Sequence, residues 1–293
     1  DLNDAYITFN NSYIETGWWI LKQLWDQGLV YQGMKGTPHC PRCVTSLSSH
    51  EVALGYKEDT PDPSVFVKFL VSDSLENRDL TSYKALFPRG FEQSQDVYLL
   101  AWTTTPWTLP GNTALAVKQD ARYVVADVDG ERIILAADLA DKVLGDNYET
   151  VIQLNGSDLI GLTYEPPYDP IQAGVDIRKF NRVRSSGGET TTRLEKVEEF
   201  HNQVVAAQFV SLEDGTGIVH VAPAFGDEDL GLGMSLGLYF VQTVDLQGIV
   251  QDNYPGSGKF VKEADEDIMV DLQERNLLFR RDVYFHTYPF CWR

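Results

Sequence analysis

Cysteine and methionine are scarce, three of each in 293 residues, and basic side chains are outnumbered, 24 Lys and Arg against 43 Asp and Glu, for a formal net charge of −19. Three cysteines in a chain this long exclude a disulfide framework. The shortage of basic charge argues against broad, non-specific nucleic-acid binding, which is driven by counterion release at basic surfaces. Two small basic groups remain, Arg178, Lys179, Arg182 and Arg184, and Arg280 with Arg281. Both read most simply as solvated faces balanced by nearby acids. No apolar run approaches the ~18 residues that a membrane span requires. The start lacks a basic stretch followed by an apolar one, so no secretory signal is visible. The expectation is a cytoplasmic chain with no membrane contact. It begins Asp1-Leu2 without Met, which reads as a piece of a longer protein.

What is present is globular. Hydrophobic residues make up 43% and aromatics 12%, enough for a sizeable core in one large or two ordinary domains. Residues 11–27 read as an amphipathic helix, with Ser12 as N-cap and Glu15 closing a capping box. Ile14, Trp18, Leu21 and Trp25 lie on one face, and Gly28 follows as the stop. Short apolar runs then predict strands at 29–34, 64–69, 96–101, 114–117, 150–154, 159–162, 204–210, 217–222, 241–244 and 248–250. Residues 123–135 predict a hairpin on the Asp129-Gly130 turn. Short helices are expected over 137–144 and from Asp227 to Leu238, and a longer amphipathic one over 263–277. The stretches 72–95 and 173–199 are polar and aperiodic and read as mobile loops. Many short strands with few helices predict an α+β fold, a β-barrel-like domain over 57–277 carried on a small base formed by 1–56 and 278–293.

Two local patterns carry chemistry. The first is WTTTPWTLPGN at 102–112, a polar turn between two predicted strands. Pro106 and Pro110 stiffen it, and Gly111 and Asn112 are expected to supply positive φ where the chain leaves it. The turn offers the hydroxyls of Thr103, Thr104, Thr105 and Thr108 and the Trp107 indole. Such a loop suits a polar, partly neutral ligand such as an ester or an alcohol. It holds no base to activate a nucleophile. The second pattern is Cys40 and Cys43 in a C-x2-C turn, half of a zinc knuckle. Cys291 could belong to the other half, whose second cysteine would fall just past Arg293. If the halves meet, residues 40 and 291 lie side by side, as in a domain inserted into a parent. His39 is a poor substitute for a fourth ligand, being adjacent to Cys40.

GTGIVHVAPAFGDED at 215–229 adds His220 and Asp229. Taken alone, His220 is a strand histidine of the core and Asp229 an acid complementing a helix start. Taken with WTTTPWTLPGN, the pair resembles the inserted editing domains of isoleucyl-tRNA synthetases. The helix with Trp18-Trp19, the CPRC knuckle, SSHEV at 48–52 and the closing YPFCWR also look like that insertion, so the resemblance covers nearly the whole chain. The related valyl and leucyl enzymes carry Arg after the threonines, where this chain has Thr105-Pro106-Trp107.

The resemblance implies hydrolysis of valine wrongly esterified to tRNA(Ile), with valyl-adenylate as a second substrate. A missing methylene in an apolar pocket is worth only about 1–3 kcal/mol, the isoleucine-against-valine case being itself the standard instance, so a second, size-excluding site is needed. It further implies that Asp229 binds the substrate ammonium and that Trp107 and His220 wall the side-chain pocket. Thr103, Thr104, Thr105 and Thr108 would then hold the ester and ribose and place a water. Cys40, Cys43 and Cys291 would hold a structural zinc, and hydrolysis would need no cofactor. The implied partners are the 3′ end of tRNA(Ile) and the rest of the synthetase in cis, with the chain itself monomeric. The alternative is a zinc-supported insertion that positions tRNA without catalysis. A metallohydrolase built on the knuckle is disfavoured, since that site has no water position and no adjacent base.

Overall fold

A computed structural model describes residues 5–52, 55–72, 96–184, 190–251 and 253–291. In chain order the first elements are helix α1 (Asn11–Asp26), strands β1 (His39–Cys40) and β2 (Thr45–Ser46), and helix α2 (Ser49–Val52). Strands β3 (Tyr56–Leu70) and β4 (Val97–Thr103) lead to a 3-10 helix at Pro106–Gly111. Then come β5 (Ala114–Val117), β6 (Arg122–Val128), β7 (Glu131–Ala136), α3 (Ala140–Leu144), β8 (Glu149–Asn155), α4 (Gly156–Leu159), β9 (Ile177–Arg184) and β10 (Thr190–Lys196). The chain closes with β11 (Gln203–Ala206), β12 (Ile218–Val221), α5 (Asp227–Leu236), β13 (Tyr239–Val241), α6 (Val261–Glu274) and β14 (Leu278–Pro289).

A mixed nine-stranded sheet organises the molecule. Its path runs β11-β5-β12-β4-β7-β6-β8, with β3 on the other edge of β4 and β14 on β3. The sheet curls into a half barrel with few helices, the α+β, barrel-like architecture the strand pattern implies. β5 shows why its sequence, ALAV, is wholly apolar. Leu115 and Val117 face the main core beside Leu99, Ile134 and the buried side of α6. Ala114 and Ala116 face a second core with Val205, Val221 and Leu238. A strand covered on both sides has no polar face to alternate with. β6 and β7 are joined at Asp129 (φ 52) and Gly130 (φ 89), the two left-handed residues of a type I′ turn.

Several expectations need correction. Asn10, not Ser12, occupies the N-cap of α1, and no side chain caps it. Gly28, at φ 73, does end the helix. No residue of α1 is buried, and on its apolar face Trp18 and Trp25 are about two-thirds exposed, at 67% and 65%. Residues 29–34 form no strand, and 159–162 hold the end of α4 rather than a strand. There the Asn155 side chain and the Asp158 carboxylate close a capping box, and helix wins over the short apolar run. The stretch 173–199 is not irregular, since β9 and β10 form an antiparallel hairpin within it and β13 joins β9. The expected loop 72–95 lies outside the described residues except for Ser72.

β3 and β14 pair over their length, from Leu278↔Val67 to Pro289↔Tyr56. The ribbon carries the chain between the half barrel and the cysteine turn, where the Phe290 amide donates to the Gly55 carbonyl at 2.7 Å. Among the described residues no helix is long and apolar enough to cross a membrane.

Candidate active site

The threonine loop begins where β4 ends. Pro106 starts the 3-10 helix, a position where its missing N–H costs nothing, and Pro110 lies within it. Thr105, just before the helix, donates its amide to the Thr103 hydroxyl at 3.2 Å. The hydroxyls of Thr103 and Thr105 lie 3.2 Å apart, as do those of Thr105 and Thr108. Thr108 donates its hydroxyl to the Thr105 carbonyl at 2.8 Å. The row is therefore pre-ordered within the loop. Thr104, half-buried, makes no side-chain hydrogen bond among the described residues.

Gly111 and Asn112 do not play the part expected of them. Asn112 is extended, at φ −61 and ψ 130, and Gly111 is not among the positive-φ residues. Gly111 is required by space, because a Cβ there would stand 2.8 Å from the Phe225 ring. Asn112 is fully buried and anchors a polar network. Its amide nitrogen donates to His220 Nδ1 at 2.8 Å and to the Ala114 carbonyl at 3.0 Å. Its oxygen accepts from the Tyr164 hydroxyl at 2.7 Å and from Asn202 Nδ2 at 3.1 Å. With Nδ1 accepting, His220 is the neutral tautomer protonated at Nε2, and that N–H donates to the Thr108 hydroxyl at 3.1 Å. Burial pulls the His220 pKa down to about 4, against a small opposing push from Thr108. His220 thus stands behind Thr108 as a neutral support. No pattern in the sequence marked Tyr164 or Asn202, since their partners are distant in the chain.

Asp229 lies in the first turn of α5, beside Asp227 and Glu228. Its Oδ2 accepts the Ala222 amide at 2.9 Å, which ties it to the end of β12, the strand that carries His220. No hydrogen bond holds its second oxygen among the described residues. Burial raises its pKa, the Ala222 amide lowers it, and Glu228 raises it further. A half-buried carboxylate with one oxygen held and one open is suited to a cationic ligand, which would relieve its desolvation. Gly233, in the same helix, lets α5 sit on its neighbours, because a Cβ would meet Phe180 at 2.9 Å and Pro223 at 3.1 Å. Gly231 has open space around it.

The Trp107 ring packs edge-on against Phe225, centroids 5.0 Å apart. Both line a cavity of about 990 Å³ whose walls also include Met34, Gly226, Asp227 and Phe260. Thr103, Thr104, Thr105, His220 and Asp229 are not among its walls. The cavity meets the constellation at Trp107, and residues 33–39 form part of its wall.

The sulfur atoms of Cys40, Cys43 and Cys291 lie within 4.8 Å of one another. The Cys43 amide pulls the Cys40 thiol below its usual value, and Cys40 in turn pushes Cys43 up. Three converging thiols, one made acidic by backbone donors, fit a thiophilic metal ion. His39 is not part of this group, as its Nε2 bonds the Leu246 carbonyl at 2.8 Å.

Residues 1–276 match the family model described as tRNA synthetases class I (I, L, M and V). The chain belongs to that family. Within it, isoleucine–tRNA ligases match from end to end. The enzyme of Dehalococcoides mccartyi strain CBDB1 is 50% identical over 294 residues, all of this chain and 28% of its own length. That of Thermus thermophilus is 44% identical, covering all of this chain and 24% of its own length. The chain therefore spans about a quarter of the synthetases it resembles. Among solved structures, the crystal structure of GlLeuRS-CP1 matches with a TM-score of 0.56 at 17% identity, over 75% of this chain and 99% of that one. At that identity the match shows a shared fold. In this chain the threonine loop sits at one end of β4, the strand that pairs with β3, β7 and β12.

Proposed function

We propose that this chain is the editing part of an isoleucyl-tRNA synthetase and hydrolyses valine from mischarged tRNA(Ile). The observation that carries it is the placement of Asp229 and the threonine row around one strand, β12. His220 on that strand holds Thr108, and the amide just past its end holds Asp229. The free oxygen of Asp229 receives the substrate ammonium. Thr104, with Thr103 and Thr105, holds the ester and the terminal ribose and places a water. The water oxygen attacks the ester carbonyl carbon, and loop amides and hydroxyls stabilise the oxyanion. The carbon–oxygen bond to the ribose then breaks, the ribose oxygen takes a proton, and free valine and uncharged tRNA leave. His220 is neutral and fully engaged, so direct attack by water, without a protein nucleophile, fits the site. The neighbouring ribose hydroxyl is placed to assist. Trp107 walls the side-chain pocket, and His220 limits its size from behind Thr108. Valyl-adenylate presents the same ammonium and a comparable acyl carbonyl and is a second substrate.

Cys40, Cys43 and Cys291 would hold a zinc ion whose contribution is structural, pinning the cysteine turn to the end of the ribbon. The working chain acts as a monomer, in cis with the remaining synthetase, in the cytoplasm.

The test is deacylation of valyl-tRNA(Ile) and isoleucyl-tRNA(Ile) at high enzyme concentration. Hydrolysis of the valyl ester alone supports the reading. Hydrolysis of neither, for the tRNA esters and for a short valyl-adenosine ester alike, overturns it in favour of an insertion that positions tRNA without catalysis.

A further inference from the structure

One acid of α6 faces inward. Asp265 is 2% exposed, while Glu263 and Glu266 beside it are exposed. Among the described residues no ion pair reaches it. Lys262, earlier on the same helix, places its ammonium 2.8 Å from Asp62 Oδ1 on β3, and Tyr288 on β14 donates its hydroxyl to the other oxygen of Asp62. Asp265 Oδ2 is buried with no hydrogen-bond partner among the described residues. Burying a carboxyl group this way is costly, and the α6 face around it, with Val261, Ile268 and Leu272, is otherwise apolar. Packing alone would be served as well by leucine.

What the acid supplies is one acceptor. Asp265 Oδ1 takes the Trp107 amide at 2.9 Å. The first amides of any helix lack partners within it. Here Pro106 has none to offer, and the Thr108 amide reaches the Thr105 carbonyl at 3.0 Å. The Trp107 amide is the donor left over at the start of the 3-10 helix, and its own N-cap residue provides no side-chain acceptor. The acceptor comes instead from a helix 158 residues away in sequence.

We infer that Asp265 is a positioning residue for ester hydrolysis, capping the 3-10 helix across the fold and so fixing Trp107 and the Thr105–Thr108 hydroxyl pair. This rests on the editing reading above. Asp265 acts through the loop backbone and touches no substrate. Burial also pushes its pKa up to about 7, with the Trp107 amide and Lys262 pulling down and Asp62 pushing up, and in both protonation states Oδ1 remains an acceptor.

Two variants test it, Asp265→Ala and Asp265→Asn, the second keeping an acceptor oxygen at the same place. The readouts are the kcat and KM of valyl-tRNA(Ile) deacylation and hydrogen exchange at the Trp107 amide. Asp265→Ala is expected to speed exchange at Trp107 and lower kcat on the order of a hundredfold, the scale set by misplacing a reacting group by about 1 Å. KM should change little, and Asp265→Asn should restore most of both. Wild-type kcat in Asp265→Ala, with Trp107 exchange accelerated, overturns the inference while leaving the editing reading intact. So does an equal loss in both variants. Absence of hydrolysis by the wild-type chain removes the editing reading and this inference with it. If Asp265→Ala does not fold, Asp265→Ser, too short to reach the amide, takes its place with the same expected outcomes.

Discussion

His220 Nε2 lies 3.1 Å from the Thr108 hydroxyl, and its Nδ1 lies 2.8 Å from the side-chain nitrogen of Asn112. Both ring nitrogens are thus committed inside the protein. A histidine so held can order a loop but cannot shuttle protons.

Removing it should loosen the loop before it changes the chemistry. His220→Ala leaves the Asn112 amide and the Thr108 hydroxyl each short of a partner, and each buried unpaired group costs about 1–3 kcal/mol. Each keeps one other bond, Thr108 to the Thr105 carbonyl and Asn112 to the Ala114 carbonyl, so denaturant unfolding should show a loss near the low end of the sum, about 2 kcal/mol. If the size limit runs through His220, the variant also begins to hydrolyse isoleucyl-tRNA(Ile). Retained rejection of isoleucine would show that another group sets that limit.

The same histidine should make the fold acid-sensitive. Its pKa falls from the usual 6.5 to about 4 on folding, so the unfolded chain binds the extra proton first. The stability it contributes is complete above pH 6.5 and is lost as pH drops towards 4, by up to about 3 kcal/mol. Midpoints for wild type and His220→Gln, compared between pH 7 and 4, should converge as the pH falls.

Asp265 works in the opposite direction. Its pKa rises from 3.8 to about 7 on folding, so the folded chain holds the proton longer. The resulting penalty is absent below pH 3.8, grows as the pH rises, and is complete above 7, up to about 4 kcal/mol. Asp265→Asn, which keeps the acceptor and carries no charge, should gain stability relative to wild type between pH 5 and 8. A constant difference across that range would mean that Asp265 does not titrate there.

Asp229→Ala should retain the wild-type melting temperature within a few degrees and lose deacylation by about a hundredfold, the scale of a charge-assisted hydrogen bond worth up to about 3 kcal/mol. A blocked α-amine on the substrate should produce the same loss in the wild-type chain and none further in the variant. Full activity in Asp229→Ala would remove the ammonium assignment.

Metal analysis of the chain purified from zinc-containing medium should find zinc, and Cys40→Ser should reduce its content. Chelation should destabilise the turn at residues 39–46, which shares a cavity wall with Trp107, while leaving the threonine row, ordered by bonds within its own loop, able to hydrolyse a short valyl-adenosine ester. Equal zinc content in wild type and variant would show that these thiols do not hold it.

The sequence was most legible where local chemistry leaves few choices. The Asp129-Gly130 hairpin turn, the threonine loop between two apolar strands, and the converging cysteines were all readable from short patterns. Helix α1 was placed correctly but capped at the wrong residue, because Asn10, Asn11 and Ser12 are all good N-caps. The β9–β10 hairpin was missed because its strands carry many charged and polar residues, so no apolar run marked them as strands. Nothing local distinguishes Asn112 as a buried linker from Asn112 as a turn residue. Its partners His220, Tyr164 and Asn202 are 108, 52 and 90 residues away, and only the folded sheet brings them together. Asp265 was hidden for the same reason, one acid among several on an acidic helix.

Tyr56 and Pro289 face each other across the β3–β14 ribbon, and this has a genetic corollary. Everything between them is a closed excursion whose two ends are one strand spacing apart, about 5 Å. A deletion from one to the other would leave ends that a tight turn can join, but it would strip residues 33–39 of the wall they share with Trp107 and Phe225 and His39 of its bond to the Leu246 carbonyl.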